Sequence, residues 1–381
     1  MAGLYVHIPF CKSRCIYCGF YSTTLSQLTG EYIEAVCTEL KNTSRDSWHK
    51  NLLENIETVY IGGGTPSQLS PTLLMKLFNA IEDSCGTLST LEVTMECNPD
   101  DLTPLYTETL AQLPVNRISM GAQTFADERL RFLYRRHSSQ QVSEAVKRLR
   151  DIGIGNISID LMFGFPGETL EEWQADIDKA LELHVEHISA YSLMFEEGTP
   201  LHRMLSQGKV KETDEELSLK MYETLIDQLS AAGYEHYEIS NFARPGFHSK
   251  HNSSYWDGTP YIGLGAAAHS YDIDSRWWNI SDVREYIQRM KSGESPIEER
   301  EVLNKPARFD DAVMTALRTR RGLSIDHVEK KFGREMKDYL MANAAPHLEA
   351  KRLTIDDNGY LRLTRQGLFV SDSVMADLMY V

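Results

Sequence analysis

Three of the chain's six cysteines, Cys11, Cys15 and Cys18, fall within eight consecutive positions. A cluster this dense suits metal or redox chemistry better than cross-linking. The spacing Cys11-x-x-x-Cys15-x-x-Cys18 brings three thiolates within reach of one centre. A structural zinc site closes with a fourth ligand, and zinc here would have to recruit His7 or a side chain far away in sequence. A four-iron cluster is ordinarily held by four thiolates. Three would leave one iron open to a small chelating molecule, and the amino and carboxylate groups of an amino acid are good chelators. Further along stands Gly62-Gly63-Gly64-Thr65-Pro66, whose glycines let backbone N–H and C=O groups approach a ligand closely. It has neither the Lys-Ser/Thr of a phosphate-binding loop nor the spacing of a dinucleotide fingerprint.

Such residues need elements to hold them. Up to about residue 240 the sequence alternates short apolar, β-branched runs with longer amphipathic stretches, the pattern of repeated βα units. Strands are expected at 4–8, 58–61, 91–96, 117–120, 158–162 and 188–193. Helical patterns lie between them, among them 30–40, 71–81 and 170–183, the last two beginning beside Ser70-Pro71 and Thr169. Six parallel strands, each followed by a helix, imply an α/β sheet curled into a partial (β/α)6 barrel, in which chemistry sits at the C-terminal strand ends. The polar and glycine-rich clusters fall there: the cysteines after the first strand, Gly62 to Pro66 after the second and Cys97-Asn98-Pro99 after the third. Gly121-Ala122-Gln123 follows the fourth, Gly164-Phe165-Pro166-Gly167 follows the fifth, and Asp160 lies within the fifth. One shared site is expected.

From 241 to 265 the chain turns loop-rich, and from about 305 a compact unit begins. Its helical patterns at 308–319, 325–332 and 336–349 precede two short strand patterns around Asp356-Asp357-Asn358-Gly359, a strong hairpin signal. Three helices and a hairpin suggest a small helical, winged-helix-like domain. The expected division is 1–240 (barrel), 241–304 (linker region) and 305–381 (C-terminal domain).

Composition bounds the function. At about 150 residues per domain, 381 residues suggest two or three domains, and 42% hydrophobic with 25% charged residues is ordinary for a globular protein. The formal charge of −16 argues against a general nucleic-acid binder, which needs surplus Lys and Arg. No run approaches the roughly 20 apolar residues of a bilayer span, and the N-terminus lacks signal-peptide features, so a cytoplasmic location without a transmembrane segment is expected. Peripheral membrane contact stays open.

The CxxxCxxC cysteines after a first strand, Tyr17 just before the last of them, and GGGTP after the next strand together resemble the radical S-adenosylmethionine (SAM) enzymes. The resemblance implies a [4Fe–4S] cluster on Cys11, Cys15 and Cys18, with SAM chelating the fourth iron. Tyr5-Val6-His7-Ile8-Pro9-Phe10-Cys11, Arg117 to Gln123 and Asp160 to Gly164 are similar to the coproporphyrinogen dehydrogenase-like branch. By position in those motifs Tyr5, Tyr17, Gly63, Gly64, Thr65, Glu96, Gln123, Arg135 and Asp160 resemble SAM-site residues. Carboxylates such as Glu96 or Asp160 suit ribose hydroxyls or the amino group, and Arg135 suits the carboxylate.

Within that branch, oxygen-independent coproporphyrinogen III oxidases carry a fourth cysteine two residues after the third and a long N-terminal extension. Here the chain reads Cys18-Gly19-Phe20, and ten residues precede Cys11. His251-Asn252-Ser253-Ser254-Tyr255-Trp256 resembles the HNxxYW motif of HemW-type haem chaperones. That resemblance implies haem binding through His251, Asn252, Tyr255 and Trp256, since an imidazole can ligate haem iron and aromatic faces can stack on the macrocycle. His248 and His269 are alternative ligands. The expected function is a haem chaperone delivering haem to an apo-haemoprotein, with a homodimer compatible and SAM cleavage left open. The alternatives are the radical SAM decarboxylase itself and, in a third class, a DNA-binding regulator using Arg318, Arg320 and Arg321. For the third, Asp310, Asp311, Asp356 and Asp357 in the same unit oppose phosphate binding.

Overall fold

The computed structural model describes residues 2–380. Six parallel strands, β1 (Gly3–Ile8), β2 (Thr58–Gly63), β3 (Glu92–Cys97), β4 (Arg117–Gln123), β5 (Asn156–Phe163) and β6 (His187–Ser192), pair in sequence order. Each is followed by helix, as the βα pattern predicts: Thr29–Thr43 after β1, Pro71–Cys85 after β2, Pro104–Leu110 after β3, Ser139–Asp151 after β4, Leu170–Glu182 after β5 and Glu215–Ala231 after β6. Sequence chemistry starts two of these helices where expected. Ser70 caps the helix whose first residue is Pro71, and Thr169 and Glu172 form a reciprocal capping box. The side chains on β1 alternate: Leu4, Val6 and Ile8 are fully buried against the helix that carries Tyr32, Ile33, Val36 and Leu40. Tyr5 and His7, out of phase by one residue, face the other side. There the sheet is free to hold polar chemistry.

The sheet stays open, with β1 and β6 unpaired to each other, and is extended at both edges. Beyond β6 lie β7 (Glu235–Glu238) and β8 (Asn241–Ala243), both antiparallel. Beyond β1 lie β9 (Tyr261–Leu264), parallel to β1, then antiparallel β10 (His269–Tyr271), β11 (Ser275–Asn279) and β12 (Ile297–Val302). The stretch expected to be loop-rich, 241–265, therefore carries β8, a helix at Lys250–Trp256 and β9. Strands of three or four residues are too short to show a period, which is why they read as irregular.

The last unit builds its own core from Phe309, Val313, Leu317, Val328, Phe332, Leu340, Leu361 and Leu378. Helices Lys305–Leu317, Ile325–Phe332 and Arg334–Glu349 pack with a small sheet of β13 (Leu323–Ser324), β14 (Leu353–Ile355) and β15 (Tyr360–Leu363). The hairpin forms over the expected Asp-Asp-Asn-Gly turn, with Gly359 at φ 75° and Asp356 accepting from the Asn358 and Tyr360 N–H groups. Arg318 lies 4.9 Å over the Trp256 ring, Arg321 pairs with Asp257 at 3.6 Å, and the Arg320 N–H donates to the Tyr237 carbonyl. The three arginines that raised a DNA-binding reading thus join this unit to the barrel side.

Candidate site at the strand ends

The three cysteines follow β1 in an irregular segment pinned by backbone bonds from Cys11 N–H to the Thr23 carbonyl and from Ile16 N–H to the Leu133 carbonyl. Burial, with neighbouring thiols adding to it, raises the pKa of Cys11 and of Cys18. Cys15 acts electrostatically on both Cys11 and Cys18, and Cys11 on Cys18, while among the described residues no three His, Cys, Asp or Glu side chains stand converged on a metal position. A protonated, partly buried thiol becomes a thiolate when a metal takes the sulfur, so the donor set fits a sulfur-liganded centre. Thr65 donates its hydroxyl to Cys11 Sγ at 3.4 Å, and Arg135 approaches Cys15 Sγ at 3.6 Å. Both donors favour a negatively charged sulfur. Gly64 leaves the space this needs, since a Cβ there would lie 2.9 Å from the Pro9 carbonyl oxygen and 3.0 Å from Cys11 Sγ.

From β2, Gly63 turns at φ 114°, and a Cβ on it would strike the His7 ring at 2.6 Å. Its N–H donates to Glu96 Oε2 at 3.0 Å, while Tyr60 donates its hydroxyl to Glu96 Oε1 at 2.8 Å. Glu96 is the next-to-last residue of β3, half-buried, and desolvation lifts its pKa to about 7. Burial likewise raises Asp160 on β5 to about 6, against the pull of Ser189, Arg117 and Arg135. Two carboxylates poorly compensated by protein gain from a ligand that brings donors or positive charge.

β4 shifts register against β5 between Gly121 and Gln123, and Gln123 takes the left-handed conformation at φ 67°. A bulge of this kind re-aims the side chain at a strand end. A Cβ at Gly121 would meet Gln123 Nε2 at 2.6 Å and an Arg135 guanidinium nitrogen at 3.0 Å, so this glycine admits both side chains. Arg135 donates to Asn98 Oδ1 at 2.6 Å and to the Gly121 carbonyl at 2.8 Å. Its buried Nε has no partner among the described residues. Burial alone would lower the Arg135 pKa, but Tyr17 and Cys15 outweigh it and raise it. Tyr17, itself raised by burial, lies among Arg135, Cys15, Cys18 and Asp160. Tyr5 donates to or accepts from His7 Nδ1 at 2.9 Å.

The strand ends therefore gather Tyr5, Cys11, Cys15, Tyr17, Cys18, Gly63, Gly64, Thr65, Glu96, Gln123, Arg135 and Asp160. Sequence reasoning did not single out Asn98, which orients Arg135, or Glu168, which accepts the Gly164 and Phe165 N–H groups at 2.7 and 3.0 Å and braces the loop after β5. The expected shared strand-end site was the signal for Asn98; Glu168 follows the GFPG turn directly.

The second motif lies against the N-terminal ends of β1 and β2, where its His251 ring stacks on Tyr5 with centroids 6.5 Å apart. His251 is 1% exposed. Its Nδ1 is 2.8 Å from Thr58 Oγ1 and its Nε2 2.9 Å from the Tyr255 hydroxyl, and its ring stacks on Tyr60 with centroids 5.0 Å apart. Burial lowers its pKa to about 3. Both ring nitrogens are engaged in this arrangement. Ser249 caps the helix by accepting the Asn252 N–H on its Oγ, Tyr255 meets Tyr261 edge to face at 4.7 Å, and Trp256 carries Arg318.

Residues 5–180 match the family model of the radical SAM superfamily, and residues 303–370 match the HemN C-terminal domain. The class is thus a radical SAM protein with a HemN-type C-terminal unit. Proteins named heme chaperone HemW are 36% identical in Lactococcus lactis (97% of this chain, 95% of that one) and 36% identical in Bacillus subtilis (98% of each). The chain belongs to the HemW family. Its fold is that of the Escherichia coli coproporphyrinogen III oxidase HemN, a radical SAM enzyme, with a TM-score of 0.84 at 21% identity over 99% of this chain and 90% of that one.

Proposed function

We propose that the chain binds haem and delivers it to an apo-haemoprotein, holding a [4Fe–4S] cluster and SAM at the strand ends. The observation that carries this reading is likeness to HemW chaperones over nearly the full length of both chains. Cys11, Cys15 and Cys18 are assigned to the cluster. A bound cluster with SAM supplies one-electron chemistry at the barrel mouth. Arg135, with its unpartnered Nε, holds the SAM carboxylate, and Glu96 and Asp160 accept from its amino or ribose groups. Tyr5, Tyr17, Gly63, Gly64, Thr65 and Gln123 shape the pocket around it.

We place the protein in the cytoplasm and assign it no nucleic-acid partner, since the Arg318 and Arg321 side chains are engaged at the junction with the barrel side and the formal charge is −16. No helix among the described residues is long and apolar enough to cross a membrane. The reading is tested by incubating reconstituted protein anaerobically with SAM, reductant and coproporphyrinogen III. The chaperone yields no decarboxylated porphyrinogen; decarboxylated product would make it the dehydrogenase.

A further inference from the structure

We propose that haem is ligated by His269, on an aromatic platform formed by β10 and β11, and that the His-Asn-x-x-Tyr-Trp motif supports this platform from behind. The inference rests on the haem reading above and names the site.

Three histidines lie in the relevant part of the chain, and their surroundings separate them. Both ring nitrogens of His251 are bonded, to Thr58 and Tyr255, and the ring is buried. His248 is bonded through Nε2 to Glu235 at 2.8 Å and stacked on Tyr237 at 4.2 Å. His269 is exposed, and neither of its ring nitrogens has a hydrogen-bond partner among the described residues. Iron ligation needs a nitrogen lone pair with open space beyond it. Of the three, His269 meets that need without rearrangement.

His269 is also set where a flat apolar ligand would be held. In the antiparallel pair β10 and β11, His269 faces Trp278 and Tyr271 faces Arg276. Residues two apart on a strand, and those directly opposite, share one face. The Trp278 indole stacks on the His269 imidazole with centroids 5.6 Å apart at 28°, which fixes the ring's direction as a supporting partner does for a metal-bound histidine. Tyr271 packs on Tyr261, and Tyr261 on Tyr255 of the motif. His251 then holds the Tyr255 hydroxyl from the buried side, so His251 is a positioning residue. A Cβ at Gly263 would lie 2.0 Å from the His269 carbonyl oxygen, so the chain at His269 crosses tightly over β9. Gly263 is in turn the pairing partner of Tyr5 on β1, whose hydroxyl meets His7 Nδ1 at 2.9 Å. The platform thus borders the strand-end site. Arg276 is already paired with Glu301 at 2.7 Å and Asp311 at 3.5 Å, so it is not assigned to a propionate.

The test is haem titration of the full chain, followed by Soret absorbance and resonance Raman, with His269→Ala, His269→Cys and His251→Ala. Losing a partner that merely supports a metal ligand costs about 10- to 100-fold in affinity, so His269→Ala should weaken haem binding by about tenfold or more and abolish the histidine-ligated spectrum. His269→Cys should bind haem with a thiolate-type Soret band, a gain that misfolding cannot mimic. His251→Ala should keep the histidine-ligated spectrum. Wild-type spectra and affinity in His269→Ala, or an unchanged histidine signature in His269→Cys, overturn the inference while leaving haem binding intact. A wild-type chain that takes up no haem overturns the functional reading as well.

Discussion

Replacing Arg135 by methionine removes a cation while keeping most of the side chain's length. The guanidinium reaches Asn98 Oδ1 at 2.6 Å, the Gly121 carbonyl at 2.8 Å and Cys15 Sγ at 3.6 Å, leaving its buried Nε for a ligand. A charge-assisted hydrogen bond from this fork to the SAM carboxylate is worth about 1.5–3 kcal/mol. Its loss should lower SAM affinity about 10- to 150-fold at 25 °C. The same change strips a donor from Gly121 and Asn98, costing about 1–3 kcal/mol of stability for each buried group left unpaired. Thermal unfolding and iron and sulfide content must therefore accompany anaerobic titration calorimetry with SAM. Arg135→Lys keeps the charge but not the planar fork and should fall between the two. A methionine variant with full cluster content and SAM affinity within about twofold of wild type, under about 0.5 kcal/mol, would refute the assignment.

Other outcomes follow from the same geometry. Cys11→Ala, Cys15→Ala and Cys18→Ala should each lose iron and acid-labile sulfide after anaerobic reconstitution; a variant that retains both removes that cysteine from the ligand set. Gly63→Ala, placed at φ 114° with His7 in the way, should cost about 1–3 kcal/mol through backbone strain, seen as a lower denaturation midpoint; an unchanged midpoint would mean that the turn relaxes freely. His251, held neutral with its pKa near 3 by burial, contributes stability that is present above its unfolded value of about 6.5. That stability is lost as pH falls from 6.5 towards 3, by up to about 5 kcal/mol. Denaturant midpoints measured from pH 7 to 4 should fall less steeply in His251→Gln, and parallel curves would count against the burial argument.

The barrel was legible because a strand buried on both faces reads as a continuous apolar run. Val59 to Ile61 and Leu161 to Phe163 are such runs, and their polar neighbours mark the strand ends where ligands gather. The flanking sheet was not. β12 reads Ile-Glu-Glu-Arg-Glu-Val, an edge strand whose charges discourage further pairing and erase the hydrophobic signal. β8 and β9 are too short for a period. At the site, residue types pointed to Arg135 and Glu96, yet what orients them is long-range. Asn98 lies 37 positions from Arg135, and Tyr60 lies 36 from Glu96. His251 shows a further limit. A His-aromatic motif suggests a ligand by type, but nothing in its spacing reveals that Thr58, 193 positions away, occupies one ring nitrogen.

The central claim is transfer of haem. Haem-loaded protein, mixed with an apo-haemoprotein across a dialysis-free separation such as rapid affinity capture, should lose its Soret absorbance while the acceptor gains the spectrum and activity of the holo form. An acceptor gaining haem no faster than from free haem at the same concentration, or a chain that keeps its haem throughout, would contradict the account.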